Sequence, residues 1–340
     1  MPERRQATGL ARVPALRSEC SRPRKETACP DPWICVATRV AECGLGGRDV
    51  RPVLLTFNLG GAEIVLQAYS TFYALAWVTV ITLGTVVAWR RGFIWWRALV
   101  VMVAALAVGV AGARMLDLPV NWTYYAKDMA RIYDSGFRGF ALYGGLILAA
   151  ATGVFLSRAL HLSVWRLADS AVPALAAGIV LMRVGCFLNG CCFGKVTSLP
   201  WGVTYPPGSP AWAHQFVSGQ TGLRGLTDGA LPVHPTQIYE MIAAVVIGTV
   251  AVWLTLRRDG GGRRTTPDGV PFLAFALAFT VFRAGNHLLR ARLITMTIPV
   301  WFYPTLYALV AAVIVGFLVW RVRAGAIRNI YAWRSPGSGG

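Results

Sequence analysis

The chain has 340 residues, 55% hydrophobic and only 14% charged, with a net charge of +18. That apolar excess excludes an ordinary soluble domain and places the chain among membrane proteins. The positive charge does not read as a nucleic-acid footprint, because the basic residues sit in short clusters between apolar runs and not in one stripe with interleaved aromatics; it reads as topogenic arginine and attraction to anionic headgroups.

Residues 1–52 stand apart from the rest. They hold ten Lys/Arg, six Asp/Glu, four cysteines (Cys20, Cys29, Cys35, Cys43) and many Pro and Gly, with no apolar periodicity. Such a segment cannot bury a core, and it reads as a disordered or mis-annotated extension whose cysteine spacings fit no metal motif. Long apolar stretches begin at Tyr69. A helix needs about 20 residues to cross a hydrocarbon core of about 30 Å, and the pattern predicts an all-α polytopic protein of about seven transmembrane helices. They run approximately over Tyr69–Trp89, Ala98–Leu116, Phe140–Leu160, Leu167–Gly185, Gln237–Leu256, Val270–Gly285 and Ile298–Trp320. The fourth and sixth are each interrupted by an arginine. The expected organisation is an extension over 1–52, a transmembrane domain over 53–325 and a cytoplasmic tail over 326–340. Joints after the odd-numbered helices carry thirteen Lys/Arg against seven in the longer opposite loops. By the positive-inside rule the N-terminus lies outside and the C-terminus inside.

Three arginines fall within apolar helices: Arg114, Arg183 and Arg283. Each lies roughly 20 to 25 Å up a core about 30 Å thick, just below the outer headgroups. Arginine in hydrocarbon costs at least about 2.5 kcal/mol, so each needs a partner, a wet cavity or a snorkelling route. Their shared depth suits an anion at the outer leaflet, where a lipid phosphate can take two parallel hydrogen bonds from a guanidinium.

On the same side Glu240 follows His234, Pro235, Thr236, Gln237, Ile238 and Tyr239 at a helix start, with Pro235 in the first turn and Gln237 and Glu240 on one face. Glu240 is expected to pair with an arginine, and His234 to accept a proton near the phosphate. The densest run is Arg183 through Lys195, where Gly185, Asn189, Gly190 and Gly194 break a helix at membrane depth. Broken backbone survives there only where it lines a protein cavity. Cys186, Cys191 and Cys192 in this run could be packing, a disulfide, reactive thiols or a metal site; no histidine lies near enough to complete a zinc pattern, and no metal ligand set is assigned.

From about Val53 to Arg323 these motifs resemble the prolipoprotein diacylglyceryl transferases of bacteria. Phe57 to Gly61 with Ile64 and Tyr69 is similar to that family's N-terminal segment. Gly112-Ala113-Arg114 is similar to its Gly-x-Arg, and Tyr143-Gly144-Gly145 to its His-Gly-Gly. Arg183 through Gly194 resembles its signature, His234 to Glu240 its His-Pro stretch, and Arg283 with Arg290 its two arginines seven residues apart. The resemblance implies transfer of the diacylglyceryl unit of phosphatidylglycerol to the lipobox cysteine of a prolipoprotein, in the bacterial inner membrane and without metal or organic cofactor. It implies catalytic roles for Arg183, Arg283, Tyr143, His287 and Asn189. Substrate-binding roles fall to Tyr69, Arg114, Gly144, Gly145, Gly194, His234, Gln237, Glu240 and Arg290, with Cys186, Cys191 and Cys192 as a possible thiol site. The chain departs from the pattern inside the site: Tyr143 stands for the family's His, Cys186 and Cys191 for its Asn and Glu, and His287 for a Glu.

Two other classes compete with this reading. A membrane thiol oxidoreductase would use the three cysteines outside the cytoplasm, where disulfides persist, and leaves the arginines unexplained. A non-catalytic lipid-binding or transport protein would show paired broken helices in two halves, and no internal repeat is visible.

Overall fold

The computed structural model describes residues 53–59, 62–120, 142–221, 230–257, 265–292 and 299–334, with Trp122, Ala126 and Gly262 between these stretches. The expectations for residues 1–52 lie outside the described residues. Among those described, the regular structure is one two-stranded ribbon and eight helices. In chain order these are β1 (Val53–Leu59), β2 (Ala62–Gln67), α1 (Ala68–Arg90), α2 (Trp95–Val120), α3 (Leu142–Ala159), α4 (Val164–Leu188), α5 (Pro210–Val217), α6 (Thr236–Leu256), α7 (Val270–Leu289) and α8 (Phe302–Arg334).

Six helices, α1, α2, α4, α6, α7 and α8, are long and apolar enough to cross a membrane. The seventh, α3, has 18 residues, which at 1.5 Å each come to about 27 Å, close to the thickness of the hydrocarbon core. The chain is thus a multi-pass membrane protein. Large apolar side chains stay exposed along these helices, among them Phe155, Val245, Leu309 and Phe317, as lipid-facing surfaces should be. Helices α4 and α7 run unbroken through Arg183 and Arg283, each of which is paired with Glu240.

The ribbon was not foreseen from the helical pattern. Its register pairs Leu59 with Ala62 and Asn58 with Glu63, and the Gly60-Gly61 dipeptide between two alternating runs is a hairpin signal. Helix α5 was also not foreseen. Its start is set by Pro210 and by Ser209, whose hydroxyl accepts from the Trp212 amide at 3.2 Å.

Helix α4 is the hub, packing on α1, α6 and α7. Small residues allow this: a Cβ on Gly248 of α6 would lie 2.6 Å from the Cβ of Ala176 on α4. Helices α2 and α3 form their own tight pair. A Cβ on Gly112 would lie 2.7 Å from the Gly144 carbonyl oxygen, and one on Gly145 would lie 2.7 Å from that of Gly109. At the opposite end from the broken signature, buried Asp169 of α4 accepts from the Gly269 and Phe272 amides at 2.8 and 3.0 Å. That carboxylate satisfies the free N–H groups where α7 begins and complements its dipole, which fixes the phase of α7 against α4.

The described residues between α4 and α6, 189–221 and 230–235, form a small cap. Its core is Phe193, Tyr205, Ala211, Trp212, Ala230 and Val233. Backbone bridges join Val233 to Val196 and Val203.

Candidate functional site

Helix α4 ends at Asn189, whose amide donates to the Gly185 carbonyl at 3.0 Å. The chain then takes the left-handed region twice, at Gly190 (φ 67°) and Cys192 (φ 61°). A residue with a side chain pays about 1 to 3 kcal/mol for that conformation and keeps it only where its surroundings over-determine it. Here Thr236 Oγ1 donates to the Cys192 carbonyl and Gln237 Nε2 to the Cys191 carbonyl, both at 2.6 Å. Gln237 Nε2 also donates to the Tyr205 hydroxyl at 3.1 Å. Further on, the Gly194 amide donates to the His234 carbonyl at 2.9 Å and the Lys195 amide to the Leu289 carbonyl at 2.7 Å. A Cβ on Gly194 would lie 2.7 Å from that His234 oxygen, so only glycine lets the strand pass this close. The signature run thereby stitches the end of α4 to the start of α6 and the end of α7.

Inside this junction lies Glu240, 2% exposed. Its Oε2 is 2.5 Å from Nε of Arg183 and accepts from Nη1 of Arg283 at 2.7 Å. Its Oε1 accepts from Nδ2 of Asn286 at 3.0 Å and lies 3.9 Å from Nη1 of Arg290. Antiparallel packing makes this possible. Glu240 is in the first turns of α6, whereas Arg183 and Arg283 stand roughly 28 and 20 Å along α4 and α7 from their starts at 1.5 Å per residue. One carboxylate among three guanidiniums leaves two positive charges uncompensated in these four side chains. Arg283 Nε, Asn286 Oδ1 and Gln237 Oε1 are buried without a hydrogen-bond partner among the described residues. Buried polar atoms are ordinarily satisfied, and these three mark where the hydrogen bonding of the junction is incomplete.

The remaining expected residues divide by place. His234 faces Tyr239, with Nδ1 3.3 Å from a hydroxyl that also accepts from Nε1 of Trp201 at 2.9 Å. His287 sits one turn beyond Arg283, against the rings of Tyr303 and Tyr307 at 5.1 and 5.9 Å. Tyr69 opens α1 beside Gly185, where a Cβ would lie 3.4 Å from the Tyr69 carbonyl, and its ring packs on Tyr73 at 4.9 Å. Arg114 is on α2, whose main packing partners are α3 and α1. Gly144 and Gly145 serve the close approach of α3 to α2. The side chain of Tyr143 lies outside the described residues.

Cys186, Cys191 and Cys192 are free thiols. Their sulfurs all lie within 4.8 Å of one another, and Arg183 Nη1 is 3.8 Å from Cys186 Sγ. The Cys186 and Cys191 thiols hydrogen-bond Cys192, and Arg290 and Arg183 add to their effect; together they hold the Cys192 thiol well below its ordinary range against the opposing effect of burial. Sequence reasoning missed Asn286, Thr236 and Tyr205. An asparagine in the last turn of an otherwise apolar helix, three residues from Arg283, was the available signal, since such a group is costly unless bonded.

An apolar cleft of about 420 Å³ runs between α7 and α8, lined by Thr280, Ala284, Leu288, Pro304, Tyr307 and Ala311. A second cleft of about 450 Å³ lies in the cap beyond Gly194, with Lys195, His214 and Arg292 on its walls.

Residues 54–326 match the sequence profile of the prolipoprotein diacylglyceryl transferases. Among similar proteins, the phosphatidylglycerol–prolipoprotein diacylglyceryl transferase of Geobacter sulfurreducens is 30% identical over 230 residues, 67% of this chain and 78% of that one. The enzyme of that name from Dehalococcoides mccartyi is 28% identical over 247 residues, 71% of this chain and 83% of its own. That of Clostridium tetani is 27% identical over 216 residues, 63% and 78% of the two chains.

Proposed function

We propose that this chain, which belongs to the prolipoprotein diacylglyceryl transferase family, transfers the diacylglyceryl unit of phosphatidylglycerol to the lipobox cysteine of a prolipoprotein in the bacterial inner membrane. The observation that carries this beyond family membership is the cluster of Arg183, Arg283 and Arg290 around the buried Glu240. In the reaction the acceptor sulfur attacks the glyceryl carbon next to the phosphate. The carbon–sulfur bond forms as the carbon–oxygen bond breaks, and the electron pair leaves on the phosphate oxygen of glycerol phosphate. A phosphodiester with one negative charge becomes a monoester approaching two, and the two uncompensated guanidinium charges match that final state better than the initial one. Fixed donors aimed at developing charge in a water-poor site lower the barrier directly.

The acceptor must react as thiolate. Its proton passes to a neutral imidazole, for which His287, one turn from Arg283, is our assignment. Glu240 positions the guanidiniums. Arg290 and Arg114 contribute positive field to lipid entry, and the Gly194 junction with His234 and Gln237 holds the cavity wall. Tyr143 and Asn189 are assigned to the surroundings of the nucleophile on the resemblance alone. The cleft between α7 and α8 suits an acyl chain, and the positive-inside pattern puts the cluster on the extracytoplasmic side, where secreted precursors emerge.

The test is transfer of labelled diacylglyceryl from phosphatidylglycerol to a lipobox peptide by the purified chain, with rescue of cells depleted of their own transferase. Absence of both activities in correctly folded protein would refute the assignment. The thiol oxidoreductase reading is not favoured, because it gives the arginine cluster no task.

A further inference from the structure

We propose that Cys186, Cys191 and Cys192 form a three-sulfur site for one thiophilic divalent cation of the zinc and cadmium class, its fourth coordination position left to water or an anion. The inference does not depend on the transfer reaction. It starts from convergence: these are the described residues in which three metal-ligating groups come together, with all sulfurs within 4.8 Å of one another. Sulfurs bound tetrahedrally at about 2.3 Å from one ion lie about 3.8 Å apart, so closure asks for side-chain shifts of about an ångström and no refolding. The spacing in sequence hid this. Cys186 is on the last turn of α4, and the other two reach it only because the chain turns left-handed at Gly190 and Cys192.

Cys191 and Cys192 are only half-buried, and their carbonyls are pinned by Gln237 and Thr236, which holds an otherwise unfavourable backbone in place. Three thiolates on a divalent ion carry one net negative charge, and the Arg183 guanidinium stands at 3.8 Å from the nearest sulfur to offset it. An ion there would tie the end of α4 to the loop that shapes the arginine cluster. Its open position would give the site a Lewis acid that the polar residues normally in this signature do not supply.

The experiment uses the full chain with Cys20, Cys29, Cys35 and Cys43 changed to Ser, purified reduced in detergent and loaded with Zn²⁺ or Cd²⁺. We expect one ion per chain after dialysis, and an ultraviolet sulfur-to-cadmium charge-transfer band. Cys191→Ser and Cys192→Ser should each weaken binding by more than about 100-fold, beyond the 10- to 100-fold that losing an outer-shell partner costs. Both positions are half-exposed, so these variants keep the buried Cys186 in place, and their elution and tryptophan fluorescence check the fold. Less than half an ion per chain, or a band that survives both variants, overturns the proposal. So does a disulfide between any two of the three in protein taken from native membranes without reductant.

Discussion

Replacing Glu240 with Gln keeps the shape of the side chain and removes its charge. Arg183 Nε at 2.5 Å and Arg283 Nη1 at 2.7 Å would then face a neutral amide, and Asn286 Nδ2 at 3.0 Å could meet another donor. Breaking a buried ion pair from one side typically costs about 3 to 5 kcal/mol, a factor of about 150 to 5,000 in the folding equilibrium, because the remaining charge stays buried and uncompensated. Part of that loss should return when Arg183 is changed to Met in the same chain, since the cluster then holds two uncompensated charges, as in the wild type, and not three. Unfolding in detergent by heat or denaturant, for the wild type, both single variants and the double variant, measures the coupling. Lipid transfer by the folded fraction separates stability from chemistry, and we expect Glu240→Gln to lower turnover there as well, because it releases the two guanidiniums. Additive effects of the two substitutions, or full stability and turnover in Glu240→Gln, would refute the cluster as a unit.

Arg183→Lys and Arg283→Lys keep charge and lose the planar fork, and each should reduce transfer to a lipobox peptide by about 100- to 1,000-fold while the protein stays folded. Gly145→Leu should separate α2 from α3 and lower stability by about 1 to 3 kcal/mol, read as a drop in the unfolding midpoint, because its Cβ would sit 2.7 Å from the Gly109 carbonyl. Thr236→Val removes the donor to the Cys192 carbonyl and should cost about 1 to 3 kcal/mol, with increased reactivity of the Cys191 and Cys192 thiols toward a membrane-impermeant maleimide. Deleting residues 1–52 should leave membrane insertion and transfer intact, tested by fractionation and the same labelled-lipid assay.

The spanning helices were legible because their apolar runs are long and their ends are marked by arginine, proline and glycine. Even the two doubtful ones, interrupted by Arg183 and Arg283, were placed within a few residues of α4 and α7. What sequence could not supply was the reason those interruptions are tolerated. Arg183 and Glu240 belong to different helices, and their meeting is a property of how α4 packs on α6. Arg114, read at similar depth, stands on α2, which packs mainly on α3 and α1. Asn286 gave too weak a local signal beside Arg283. The convergence of the three sulfurs depends on the left-handed turn at Cys192, a conformation no pattern assigns to cysteine.

The placement of Glu240 between two arginines also imposes an order on biogenesis. Helix α4 is synthesised before α6, so Arg183 reaches the membrane before its carboxylate exists. An unpaired arginine in hydrocarbon costs at least about 2.5 kcal/mol, and the end of α4 must therefore stay with headgroups or water until Glu240 arrives. Arg283 follows another 43 residues along the chain. A nascent chain that stops short of α7 thus holds a neutralised pair and no net positive site, and the capacity to grip a lipid anion appears only when the penultimate span is in place.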